Sequence, residues 1–239
     1  MKKRTSFPRF FTAAAMILSM LAGALLVSCA GNKKEPVVPP VRIPKFPASV
    51  NYTDSRENII RDAVKNAQAV ACVRIGDWLG ETADLLYTTF EAEVIETVRG
   101  ELPKNIVLLQ DGTAESSLSS QRWPIFTAGN ELFLFLNKYE NHPGARNIQP
   151  DNAYYIAGMT LTVCDMVTLD SGEKYVIPRD SLMSANMPGV SKCLVFNRAI
   201  IQSCFDEIKR VDPVWNEVER SNKYVLPFEK LVAAIKELG

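Results

Sequence analysis

The chain has 239 residues, 27 basic and 27 acidic side chains, and one histidine, which suits one domain with additions or two small ones. Residues 1–28 hold four of the bases and no acid, so the remainder carries 23 against 27, a net charge of −4. A mildly acidic body lacks the concentrated basic face that phosphate backbones need, which sets nucleic acid aside as a partner.

Lys2, Lys3, Arg4 and Arg9 give the chain a basic start, and Phe10 to Val27 is apolar except for Thr12, Ser19 and Gly23. This is the layout of an export signal, and no later apolar run is long enough to span a bilayer. The signal ends in Leu26-Val27-Ser28-Cys29, which resembles the lipobox of bacterial lipoproteins. The resemblance implies cleavage between Ser28 and Cys29 and a diacylglycerol on the Cys29 sulfur. Each buried methylene of an acyl chain contributes about 0.8 kcal/mol, so several long chains hold a protein on its membrane. The implied location is the cell membrane or outer membrane, lipid-anchored, facing periplasm or cell exterior. In a diderm envelope, alanine at position 30 in place of aspartate favours the outer membrane or surface.

Residues 29–50 form a tether. Pro36, Pro39, Pro40, Pro44 and Pro47 favour extended polyproline geometry, and at ~3.1 Å per residue the segment reaches roughly 60 Å from the membrane. Residues 51–239 are expected to form one globular domain, with strands over about 66–178 and helices over about 198–238.

Asp54-Ser55-Arg56-Glu57 resembles a capping box, and Ile59, Ile60, Ala63, Val64 and Ala67 give the helix behind it an apolar face. A strand is predicted from Ala69 to Ile75, broken by Gly76-Asp77. Leu86 to Val98 alternates as a half-buried strand does, with Thr88, Phe90, Ala92 and Val94 on one face and Tyr87, Thr89, Glu91 and Glu93 on the other. Gly100 ends it, and Ile106 to Leu109 form a short strand. A polar loop, Gly112 to Gly129, contains Arg122-Trp123-Pro124. Glu131 to Leu136 is apolar on both faces and should be central. Residues 152–158 and 161–169 read as strands, and Asp170-Ser171-Gly172 turns into a last strand near Lys174 to Ile177. Ile201, Cys204, Phe205 and Ile208 then lie at helical spacing up to Asp212-Pro213. Phe228, Leu231, Val232 and Ile235 mark a terminal helix begun by Pro227. The fold class is therefore mainly β with flanking helices (α+β): a small antiparallel barrel, one N-terminal helix and two C-terminal helices.

Several stretches carry a second resemblance. Asn66-Ala67 leading into Val70-Ala71-Cys72-Val73-Arg74, then Phe90-Glu91-Ala92-Glu93-Val94 and Val98-Arg99-Gly100, resemble the opening of a netrin-like module. Ala128-Gly129-Asn130-Glu131-Leu132-Phe133-Leu134-Phe135 resembles its central strand, and Leu161-Thr162-Val163-Cys164-Asp165 a later one. The tissue inhibitors of metalloproteinases are members. The resemblance covers roughly residues 66–170 and implies an oligonucleotide/oligosaccharide-binding (OB) type of barrel. Those inhibitors chelate zinc through a free N-terminal Cys-x-Cys, whereas here the mature N-terminal cysteine is committed to lipid and lacks the second cysteine. The family pairs the cysteine matching Cys164 with its N-terminal segment. That partner is missing, which leaves Cys72 or Cys193.

With Cys29 on lipid, Cys72, Cys164, Cys193 and Cys204 remain, an even number that allows two disulfides in an exported protein; buried free thiols are the alternative. They lack Cys-x-x-Cys spacing, which argues against zinc and thioredoxin-type chemistry. Glu91 and Glu93 lie on one strand face ~6.6 Å apart, within the range of an inverting glycosidase pair and equally that of a solvated sheet face. His142, a lone loop histidine, supports neither a triad nor a zinc site. Gly-x-Ser-x-Gly and Walker-type loops are absent from the sequence. Asp165, Asp170 and Glu173 lack calcium-loop spacing. Arg122 and Trp123 are the candidate binding residues, since tryptophan and arginine concentrate at interaction hot spots; Trp123 folded back as a barrel plug is the alternative.

The sequence thus points to a non-enzymatic, lipid-anchored module that binds an envelope protein or glycan, with no metal or cofactor expected. An envelope glycan hydrolase using Glu91 and Glu93, and a loop-mediated protease inhibitor, are the rivals.

Overall fold

Eight strands and three helices are formed by the residues that the computed structural model describes, namely 56–82, 87–112, 125–141, 151–180, 183, 190, 193–212 and 224–237. In chain order they are α1 (Arg56–Asn66), β1 (Ala69–Thr82), β2 (Tyr87–Arg99), β3 (Asn105–Asp111), β4 (Glu131–Lys138), β5 (Ala153–Ile156), β6 (Cys164–Thr168), β7 (Lys174–Pro178), α2 (Arg198–Val211), β8 (Leu226–Pro227) and α3 (Phe228–Lys236). The signal segment, Ser28, Cys29, the tether, Arg122, Trp123 and His142 lie outside the described residues. No helix among the described residues is long and apolar enough to cross a membrane.

Five strands close into an OB-like barrel in the order β1-β2-β3-β5-β4, with β4 pairing back onto β1. The α+β class expected from the sequence is the one observed, with one amendment. The barrel is not wholly antiparallel, because β3 and β5 run parallel through Val107↔Ala153, Leu108↔Tyr154 and Leu109↔Tyr155. A closed ring with an odd number of strands cannot alternate direction all the way round.

Every second residue fills the interior. Val73, Phe90, Ile106, Leu108, Leu134 and Tyr154 belong to this core. The next residues along face outward, and on β1 and β4 that outer face is covered as well. Val70, Cys72, Phe133 and Phe135 pack there against Ile60 and Val64 of α1 and Phe228, Leu231 and Ile235 of α3. Residues 132–136 of β4 are 0% exposed, which is why that strand is apolar on both faces. Strands β6, β7 and β8 extend the sheet from β4 through Leu132↔Asp165 and Phe133↔Cys164. Helix α2 lays Cys204 and Ile208 on Val167, Tyr175 and Ile177 of this extension. Asn197 caps α2, its Oδ1 accepting from the N–H groups of Ala199 and Ile200 at 3.0 and 3.3 Å.

Gly76-Asp77 does not end β1. The register slips between Ile75 and Trp78 and again between Trp78 and Gly80, and pairing with β2 continues to Thr82↔Tyr87. The predicted break is a pair of bulges, which absorb extra residues without ending a ladder. At the opposite end of the barrel, Gly158 (φ +77°) lies so close to α1 that a Cβ there would come within 2.8 Å of Ala63 Cβ and 2.6 Å of Thr162 Cγ2. Arg56, in the first turn of α1, also donates to the buried carboxylate of Asp180 just beyond β7.

Candidate functional site

The outer face is covered over the first half of β1 and over β4, whereas from Arg74 onward in β1, and across β2 and β3, it is open and forms a groove of 460 Å³. Its first row of side chains crosses four strands. Glu93 pairs with Asn105 on one side and Arg74 on the other, and Arg74 pairs with Glu131. Arg74 Nη2 and Nε donate to Glu131 Oε1 at 2.7 and 3.1 Å, and Nη1 donates to Glu93 Oε2 at 3.3 Å. Lys104 Nζ stands 3.6 Å from the other Glu93 oxygen. The second row is Gly76, Glu91 and Val107. Gly76 supplies no side chain, and a Cβ there would lie 3.2 Å from the Glu91 carbonyl oxygen, so the floor beneath Glu91 stays bare. Asn152 closes the far side, donating from Nδ2 to the Asn105 carbonyl at 3.1 Å while its own carbonyl accepts from Val107 N–H at 3.0 Å. Leu79, 49% exposed, flanks the opening.

No known protein family, curated protein or solved structure matches this chain. The groove is interpreted from its own chemistry.

Glu91 and Glu93 do share a face, as expected. Glu93 is engaged by two cations, and Glu91 is exposed. A glycosidase needs one carboxyl kept protonated by an apolar setting and a second kept ionised, and neither glutamate has the apolar setting. Arg74, Asn105 and Asn152 were not among the candidates read from the sequence. An arginine inside the run from Ala69 to Ile75 was the available signal for the first. The asparagines meet only through the β3–β5 parallel pairing and its continuation at Asn152.

Beyond Val107 the same outer face becomes an aromatic cluster of Tyr87, Tyr139, Leu109 and Ala153, with Tyr155 at its rim. Of the two tyrosines on β5, Tyr154 lies in the barrel core and Tyr155 on this outer cluster, as alternation requires. Asp111 sits opposite Tyr87, and burial lifts its carboxyl to about 6. Burial first, and then the Asp111 charge, push Tyr87 upward.

A smaller cavity of 220 Å³ lies between the start of β4, β6 and the second half of α2. Asp165 lines it, held by Arg179: Nη2 to Oδ1 is 2.7 Å, Nε reaches both oxygens at 3.2 Å, and the two side chains are 2% and 5% exposed. The Phe126 ring lies 5.3 Å from this guanidinium and 6.0 Å from Phe90. Phe126 therefore sits in the barrel core, and its N–H donates to the buried Gln110 side chain at 2.9 Å. Asp170 and Glu173 are exposed at the β6–β7 turn, away from Asp165, and no group of three metal-ligating side chains occurs among the described residues.

The disulfides expected among Cys72, Cys164, Cys193 and Cys204 are corrected, because none of the four is joined to another by a disulfide. Phe133 pairs with Cys72 on one side and Cys164 on the other. Two strand spacings, about 9.6 Å, exceed the Cα separation a disulfide allows. Cys204 lies instead on the sheet-facing side of α2, and Cys193 Sγ is 3.8 Å from the Lys230 carbonyl. Burial raises the Cys72 and Cys204 thiols to about 12 and pushes Cys164 up as well.

Proposed function

We propose that this protein is a lipid-anchored, non-enzymatic binding module of the cell envelope that holds a glycan in the β1–β2–β3 groove. The observation that carries the reading is the bare stretch of barrel surface, where a carboxylate and two amides surround a shallow floor beside exposed Leu79. Hydroxyl-rich ligands need such convergent polar groups on an apolar base, and this face of an OB barrel is a binding face in other proteins. Three carboxylates, Glu91, Glu93 and Glu131, stand against Arg74 and Lys104 along it, which disfavours nucleic acid.

The barrel is of the netrin-like kind in this reading. Support comes from the segments that carry the resemblance, which fall on β1, β2, β4 and β6. The anchor is Cys29, supported by the order of basic start, apolar run and lipobox, with the membrane and an envelope glycan as partners.

Detergent-solubilised full-length protein titrated with envelope glycans tests the groove. Asn105→Trp, which fills it from an exposed position, should weaken binding about tenfold or more without lowering the melting temperature. Undiminished binding by Asn105→Trp, or no glycan bound by the wild type, contradicts the reading. Turnover of the glycans that disappears in Glu91→Gln would install the hydrolase in its place.

A further inference from the structure

Resting on that groove, we infer that its ligand is a saccharide bearing a free amine, with Glu91 as the counter-ion that selects it. The other charges of the groove satisfy one another. Arg74 is shared between Glu131 at 2.7 Å and Glu93 at 3.3 Å, and Lys104 stands 3.6 Å from Glu93. The Glu91 side chain makes no hydrogen bond or ion pair among the described residues, so among them its exposed carboxylate is the uncompensated negative charge of the groove.

The hydrogen-bonding inventory points the same way. Asn152 spends one of its two side-chain N–H groups on the Asn105 carbonyl at 3.1 Å, which leaves the second N–H and the side-chain oxygen for a ligand. Glu91 adds two acceptor oxygens, and the exposed Asn105 amide adds one acceptor and the NH₂ donor group. Asn105 and Asn152 thus supply donors and acceptors alike, while the two Glu91 oxygens only accept, so Glu91 is the group that favours a ligand rich in donors. An ammonium brings three N–H donors and a positive charge, and its hydrogen bond to a carboxylate is charge-assisted. A uronate or a phosphate would meet the same acceptors with repulsion.

The floor suits a sugar ring. Gly76 leaves the surface beneath Glu91 without a side chain, while Val107 and Leu79 offer apolar carbon beside it. A pyranose laid there presents an equatorial amine to Glu91 and its hydroxyls to Asn105 and Asn152.

The test compares three ligands on the full-length protein in detergent at pH 6. They are a glucosamine oligosaccharide, its fully N-acetylated counterpart, and a lysine oligomer of equal charge. The glucosamine oligosaccharide should bind about tenfold more tightly than either of the others. The preference over the acetylated sugar should fall with added salt and disappear in Glu91→Gln, whose melting curve shows that it is folded. Equal binding of the acetylated and free-amine sugars overturns the amine inference and leaves the groove reading standing. Equal binding of the lysine oligomer reduces Glu91 to a general cation site and overturns it too. If no sugar binds, the inference and the groove reading fall together.

Discussion

At the residue scale, what decides each charged group is the company it keeps. Asp165 and Arg179 are buried, and each would be costly alone; their bidentate geometry compensates both. Asp111 has no such cation among the described residues. Burial lifts it from an ordinary 3.8 to about 6, so the folded protein prefers its protonated form. The stability that preference provides is complete below about pH 4 and is lost as pH rises through 6. Full expression of the rise would cost about 3 kcal/mol at neutral pH, and solvent reaching this half-buried group lowers that to about 2 kcal/mol. Asp111→Asn should therefore be the more stable protein at pH 7.5, with the advantage shrinking towards pH 4. Urea midpoints across that range check this, and a constant difference would contradict it. The sequence displayed Glu91 and Glu93 on one face because alternation along a strand is local. It did not display that Arg74 and Lys104 neutralise Glu93 and leave Glu91 alone, since part of that arrangement depends on the β1–β2 register. The cysteine count misled for the same reason: an even number says nothing about the strand that separates Cys72 from Cys164.

At the element scale, periodicity was informative where one face or both faces are buried. The terminal helix and the apolar run 132–136 of β4 were legible because their burial is written into consecutive residues. The two bulges in β1 were not, since glycine and aspartate signal a turn and a bulge alike. Two-residue β8 is too short to show any period, and its pairing with β7 through Val176↔Leu226 is a long-range event. Gly158 illustrates a demand that only packing reveals. Its positive φ and the nearness of Ala63 both exclude a Cβ. Gly158→Val should lower stability by about 3 kcal/mol or more, because backbone strain adds to displacement of α1. A thermal melt that changes by less than about 1 kcal/mol would show that α1 yields more easily than its contacts indicate.

At the scale of the whole molecule, the barrel has one outer face packed under other elements and one left open, which the proposed function assigns to recognition. Helices α1 and α3 with the β6–β8 extension cover the outer side of β1 and β4, and the groove over β1–β2–β3 stays open. The covering elements explain why the C-terminal helices belong to the same body as the strands. On the anchoring account, Cys29 and the tether hold that body above a membrane. Wild-type protein should incorporate an alkyne-tagged fatty acid in growing cells and fractionate with membranes, and Cys29→Ala should do neither. Label retained in Cys29→Ala would place the lipid elsewhere or remove it from the account.

The central claim is that the β1–β2–β3 groove is where the ligand sits. Photo-cross-linking of a diazirine-bearing amino-oligosaccharide to the full-length protein, with adducts mapped by mass spectrometry, tests it most directly. The account predicts adducts within residues 74–79, 91–93, 105–107 and at Asn152, competed away by unlabelled sugar. Adducts concentrated on Arg122 and Trp123, or along α2 beside Asp165, with the groove unlabelled, would contradict it.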